Sequence, residues 1–364
     1  MAGHEAAQAA LQGHDDPGLL LVFASGGHDL PVLTGAIAEI AAGIPFVGCT
    51  SAGEIDASGP ATGSVVVLAL GGDGLTFSVA AVTGAEPREA GARVAACVGD
   101  VAHRPHRLLM LLADGPSAIH ADIVRGAYSV SGAGVPLVGG IAGHPAFGRN
   151  AEHAVVYGGS VLHDAVVGVA IGSDAPLGIG VHHGWREVGE PLLVTRAEPG
   201  RVLELDGRPA AEVYRELLGG GDLPDIVVLG HPLGMQQRIG EAHIRSVALG
   251  DDPDGGIRCA APAGALVWLM ETDVESVLGA ADAACADAVA ALDGAAPQVL
   301  LTFGCAARLQ FLGGVDGHAG EEIAHAARHA GDAVVAGLYT HGEIARTHGI
   351  VGYHHQTFVA LAVA

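Results

Sequence analysis

The sequence predicts an α/β protein in which strand-helix-strand-strand units recur and form two packed, layered domains with mixed sheets. Three observations predict it. Apolar runs such as LLLVFAS, VVVLAL and LLMLLA are strand-length, rich in Val and Leu, and bounded by Gly or Pro, as buried strands are. Helical segments alternate with them, which calls for helix layered on sheet. The pattern also repeats along the chain.

Residues 1–16 read as a mobile tail. The first unit follows: GLLLVFAS, TGAIAEIAAG, IPFVGCTSAGEI and GSVVVLALGG give strand, helix, strand with a glycine-punctuated turn, then strand. The last sixty residues run the same way through QVLLTFGCAAR, EEIAHAARHAG, DAVVAGLYTHGEI and QTFVALAVA. The turns GCTSAGEI and GLYTHGEI share a terminal Gly-Glu-Ile, which strand–helix alternation alone does not require. A looser copy occupies 107–172, through RLLMLLADG, ADIVRGAY, VPLVGGIAGH and VVGVAIG, and a weaker fourth runs from DIVVLGHPL to ALVWLM. The chain divides near 195–225, giving expected domains of 17–205 and 206–364. A period of about a hundred residues is too long for a solenoid.

Composition narrows the function. Hydrophobic residues make up 50% of the 364 and charged residues 16%, far from the signature of disorder. Forty acidic residues face 17 basic ones for a net charge of −23, and no lysine is present. Such a surface repels phosphate backbones and anionic lipid, so neither nucleic acid nor membrane is an expected partner. The five cysteines, Cys49, Cys97, Cys259, Cys285 and Cys305, show no CxxC spacing, so a disulfide framework or a four-cysteine zinc site is not expected. The N-terminus lacks the basic start and apolar core of a signal peptide, and no apolar run approaches the roughly 20 residues that span a bilayer. A cytoplasmic location is the expectation.

Seven phrases, VGCTSAGEI, PLVGGIAGH, HHGWREVGEPLLVT, VLELDGRPAAEVY, LTFGCAARLQFLG, YTHGEI and HHQTF, occur in order over about residues 19 to 364. Together they resemble the FIST sensory family, which pairs an N-terminal FIST domain with a FIST_C domain. The resemblance implies a small-ligand sensory module, with amino acids or similar metabolites as suggested ligands. One branch is regarded as haem-binding and nitric-oxide-sensing. Relatives are often fused to signalling output domains; this chain shows none, so its expected output is through a separate protein.

Candidate residues follow from the chemistry. Arg308 sits just past a buried strand, where α/β folds gather ligands, and its fork of donors suits a carboxylate or pairs with a structural one such as Glu343. Cys305 beside it, like Cys49, reads as a small buried thiol or as the nucleophile of an enzyme. A pseudo-twofold packing of the halves would set Thr50, Ser51 and Glu54 opposite Tyr339, Thr340 and Glu343 across a cleft suited to an amino acid. Alternatively each glutamate caps its own turn. Gly139 and Gly140 resemble a backbone anion cradle or a tight packing turn. His183 and Trp185 suit a flat apolar pocket or haem ligation, or a core Trp with a hydrogen-bonded His. His325 and His329, four apart on a helix with Glu321, match metal-ligand spacing or a solvated face. His354-His355-Gln356 ends the turn before the last strand, directed toward the same cleft.

Overall fold

The computed structural model describes residues 1–14, 16–115, 119–145, 152–236, 243–250, 253–347 and 352–364. In chain order the first unit comprises α1 (Ala2–Leu11), β1 (Pro17–Ser25), α2 (Leu30–Ala41), β2 (Phe46–Ser51), the short β3 (Gly53–Asp56) and β4 (Gly59–Ala61), and β5 (Val65–Gly71). The second comprises β6 (Leu75–Thr83), α3 (Pro87–Ala95), β7 (His106–Ala113), α4 (His120–Ser131), β8 (Leu137–Ile141), β9 (Val155–Tyr157), β10 (Ser160–Leu162) and β11 (Ala165–Ser173).

The third unit opens with β12 (Leu177–His182) and is then interrupted by a small module. That module holds β13 (Arg186–Glu198), β14 (Arg201–Leu205), β15 (Arg208–Pro209), α5 (Ala210–Leu217), α6 (Asp225–Leu229), β16 (Leu233–Met235), β17 (His243–Arg245), β18 (Ile257–Arg258) and β19 (Leu266–Glu271). The unit resumes with α7 (Val274–Ala290), β20 (Val299–Cys305), α8 (Ala306–Phe311), α9 (Ala319–Ala327), β21 (Val334–Thr340), β22 (Glu343–Arg346), β23 (Tyr353–His354) and β24 (Phe358–Val363).

Each unit builds one sheet of the same design. A parallel pair (β1–β2, β7–β8, β20–β21) is flanked by an antiparallel third strand (β5, β11, β24). The helices that cover these sheets carry their own start signals. Asp29 caps α2 by accepting the Val32 N–H, with Pro31 in the first turn, and Asp273 caps α7 through the Ser276 N–H.

The units are interlocked. The β3–β4 arm of the first unit adds to β21 of the third, β9–β10 of the second adds to β2 of the first, and β22–β23 of the third adds to β8 of the second. Where the chains cross, three backbone hydrogen bonds close the same cycle: Ala52 N to Tyr339 O at 2.9 Å, Gly143 N to Thr50 O at 2.8 Å, and His341 N to Ile141 O at 3.1 Å. The arrangement is therefore a cycle of three, where the paired turns had suggested a twofold.

The inner faces of all three sheets share one apolar core, including Phe23, Met110 and Phe303. Helices cover the outer faces over separate cores. Such two-sided burial explains why the strands read as continuous apolar runs and not as alternating ones.

Two expectations need correction. The mobile tail is instead a helix over residues 2–11, whose Ala7 is fully buried against the first sheet. The weak fourth copy is no copy: β16, β17 and β19 are antiparallel, and DIVVL is a short helix. No helix among the described residues is long and apolar enough to cross a membrane.

Candidate functional site

The two Gly-Glu-Ile turns are built alike, as buried clamps. Glu54 accepts from the Ser51 hydroxyl, from Ser64 N at 3.0 Å and from Ser64 Oγ at 2.6 Å. Glu343 accepts from Thr340 Oγ1 at 2.8 Å, Thr357 N at 3.0 Å and Thr357 Oγ1 at 2.9 Å. Each carboxylate thus ties its arm to the start of its own unit's last strand. The second unit reaches the same end with Asp114, which accepts from Asp164 N at 2.9 Å and Ala165 N at 2.6 Å. Burial raises the pKa of both glutamates, and Glu343, fully enclosed, is pushed to about 7. Both are buried and bonded within their own turns, the alternative in which each glutamate caps its own turn.

Most of the other sequence candidates are also employed in the framework. Thr50 Oγ1 accepts Ala154 N at 3.2 Å and so holds the incoming β9 arm. Arg308, the first choice for binding an anion, has no accessible surface. Its Nε and Nη2 donate to Glu322 at 3.0 and 2.7 Å, and two further bonds go to the carbonyls of His183 and Val277 at 2.7 Å. Tyr339 completes that network by donating to the other Glu322 oxygen at 2.8 Å. The partner of Arg308 is thus Glu322 and not Glu343.

Gly139 and Gly140 form no anion cradle. A Cβ on Gly139 would stand 2.0 Å from Leu111 O, and one on Gly140 2.5 Å from Thr340 Cγ2, so both exist for close strand packing. All five cysteines are buried and free. Desolvation drives the thiol pKa of Cys49 and Cys305 far up, so neither is poised as the thiolate a nucleophile requires.

Trp185 is 5% exposed, packed on Phe311 at 6.0 Å between ring centroids, with the Arg308 guanidinium 5.9 Å from its ring. It therefore has no open face for a macrocycle, and the His183 Nδ1 accepts the backbone N–H of Trp185 at 2.9 Å. The pair does not fit haem. The expected run of Glu321, His325 and His329 along one helix face is broken, because α9 ends at Ala327: Glu321 bonds His318 at 2.8 Å and borders an open groove with His325, whereas His329 lies in the turn beyond and bonds Asp282 at 3.1 Å. Among the described residues no group of three or more His, Cys, Asp or Glu side chains is placed to hold a metal ion.

What the structure does assemble lies elsewhere, where α4, β17, β22 and the β23–β24 turn converge. Arg245, at the end of β17, is sunk beside Tyr353, with its Nη1 3.4 Å from the Tyr353 carbonyl and its Nε unbonded. Among the described residues no carboxylate pairs with it. Histidines surround it. His243 stacks on His354 at 4.9 Å, His355 meets the Tyr353 ring at 4.8 Å, and His120 Nδ1 lies 3.1 Å from the Tyr353 hydroxyl.

Burial lowers the pKa of these imidazoles, to about 4 for His120 and His354, about 3 for His355 and about 2 for His243, and the Arg245 charge works in the same direction on the last three. They are neutral at pH 7. Gln356, in the left-handed conformation at φ 56°, turns its amide nitrogen to Leu229 O at 3.3 Å. Buried polar atoms remain without partners here: His120 Nε2, His243 Nδ1, Arg245 Nε and Gln356 Oε1. Yet Arg245, Ser246, His354 and His355 keep partial exposure, so the cluster is in contact with solvent.

Sequence reasoning had singled out only His354, His355 and Gln356 of this cluster. Arg245 and His243 come from a two-residue-spaced HIR in a weak strand, a signal with no motif around it. His120 heads a helix from the opposite half of the chain.

A search of curated proteins finds no match. Family models do match: the FIST N domain over residues 18–208 and the FIST C domain over 210–346. Those spans cover most of the chain, and such domains are associated with sensory signal transduction and small-ligand binding: the chain belongs to the FIST family.

Proposed function

We propose that the chain is a sensory module that holds a small carboxylate-bearing metabolite against Arg245 and signals its occupancy through a separate protein. An amino acid is one member of that ligand class. The observation that carries this reading is a desolvated arginine with no acidic partner among the described residues. An uncompensated buried charge costs several kcal/mol, and native proteins pair such a charge or leave it for a ligand. A guanidinium matches a carboxylate bidentately. The neutral imidazoles and the Tyr353 hydroxyl supply donors and acceptors that fix orientation without adding charge. Because the cluster joins α4 of the first half to β17 and β23 of the second, a bound anion would draw the two together.

The test is a thermal-shift screen of α-amino, α-hydroxy and α-keto carboxylates, followed by calorimetry on the hits, with Arg245→Met in parallel. The expected result is a carboxylate that stabilises the native chain and loses about 30-fold or more in affinity on the variant. Equal binding to both proteins would remove Arg245 from the site and this reading with it.

A further inference from the structure

The three sheets are not equally complete. The second carries β6 outside β11, and the third carries β12 outside β24, each antiparallel to its neighbour. The first sheet runs β10-β9-β2-β1-β5, and among the described residues no strand pairs with the far side of β5. The roof over that position is already built. α7 packs across both β12 and β24, and α3 across both β6 and β11, whereas α1 lies over β5 with nothing beyond it to cover.

The vacant position also leaves its share of the common core unfilled. Leu75, Phe77 and Val79 of β6, and Leu177, Ile179 and Val181 of β12, pack inward on that core. Beside β5 there is instead a groove of about 400 Å³, bordered by Leu68, Leu70, Val299, Val334 and Val363.

We infer that this edge docks a second copy of the chain, with β5 pairing antiparallel to the partner's β5 so that two five-stranded sheets become one across a twofold axis. Three observations select that occupant. The sister sheets show that the missing strand must run antiparallel to β5, the only direction a strand can take against its own twofold copy. The sequence of β5, VVVLALG, alternates inward Val66, Leu68 and Leu70 in the manner of β6 and β12. Finally, β5 carries no charge in a chain of net charge −23. The strand itself therefore brings no like charges to a pairing of two acidic copies, although Asp73 and Asp174 line one end of the groove. The edge also lacks the lysines and prolines that normally blunt exposed strands.

The ladder identifies the donors. Ser25 N–H bonds Ser64 O, so the alternation pairs Val66, Leu68 and Leu70 with β1 and turns the N–H groups of Val65, Val67 and Ala69 outward. Val67→Pro therefore removes an outward donor without touching the β1 ladder, at an edge where proline is tolerated.

The experiment is sedimentation and native mass spectrometry of the unliganded chain over a wide dilution series, beside Val67→Pro. Hydrogen exchange of wild-type Val67 and Ala69 amides is read at both ends of the series. Expected are a dimer of twice the chain mass, dissociation weakened by concentration, and amides at Val67 and Ala69 that exchange faster on dilution. Val67→Pro should stay folded by circular dichroism and dimerise about tenfold or more weakly, two hydrogen bonds being lost across the twofold. A wild-type monomer at every concentration overturns the inference, as does a folded Val67→Pro that dimerises normally. Should the variant unfold, the wild-type amides decide: exchange at Val67 and Ala69 that ignores concentration also overturns it.

Discussion

The turn at residues 59–64 and the turn at 353–357 are two executions of one design. Both lead into a third strand, both pass through a left-handed residue (Gly63 at φ 74° and Gln356 at 56°), and both end on a hydroxyl residue clamped by a buried glutamate. The first spends Ala61, Thr62 and Gly63 on the approach. The second places His354, His355 and Gln356 there, beside Arg245. Glycine adopts positive φ freely, whereas Gln356 holds it at an energetic penalty. The comparison separates framework from site: what the turns share is architecture, and what only the second carries is chemistry.

The largest expected effect breaks what they share. Glu54→Ala and Glu343→Ala each strip the partners from several buried donors, and each should destabilise by roughly 2–4 kcal/mol in chemical denaturation. Neither loss should depend on ligand. A small loss at one turn and a large one at the other would show that the clamps are not equivalent.

The next sharpens the difference. Arg245→Met should raise the melting temperature of the unliganded protein, since replacing an unpaired buried charge by an apolar side chain relieves desolvation, while abolishing the shift produced by a carboxylate. A fall in unliganded stability would mean that Arg245 is a structural residue. Smaller again is Gln356→Gly, which restores the first turn's residue. It should add about 0.5–1 kcal/mol or less by removing strain, after the loss of two long hydrogen bonds.

Acidity gives a graded readout. His120, His354 and His355 have folded-state pKa values below the ordinary 6.5. The unfolded chain therefore binds more protons, and stability drops as pH falls from about 6.5 toward 4. Glu343 runs the other way: raised to about 7, it is protonated in the fold before it is in the unfolded chain, so its contribution declines as pH rises from 4.5 through 7. Urea titrations should show the acid-side loss shrink in His355→Gln, and the slope from pH 5 to 7 change in Glu343→Gln. Unchanged profiles would place these groups in water.

Much of the architecture was legible because it rests on local patterns. Buried strands on two-sided sheets are uniformly apolar, and the shared Gly-Glu-Ile showed that two turns were related. The cycle of three was not legible, because arm exchange pairs residues as distant as Gly53 and Tyr339, and nothing in a local pattern names so remote a partner. Arg308 misled for a related reason. Its position at a strand end was correct, but the residue that neutralises it, Glu322, lies on a helix whose sequence advertised histidines. The cluster around Arg245 draws on several separate elements, each contributing a few ordinary residues.

The interlocked arms also have a consequence in the course of biosynthesis. A chain emerges N-terminus first, yet β3 and β4 belong to a sheet whose remaining strands include β21 and β24, made much later. The first unit must wait, its arm unpaired, until β21 has left the ribosome. Non-local pairing of that kind makes folding slow, and it makes the arrival of β21 the event that locks the arm in place.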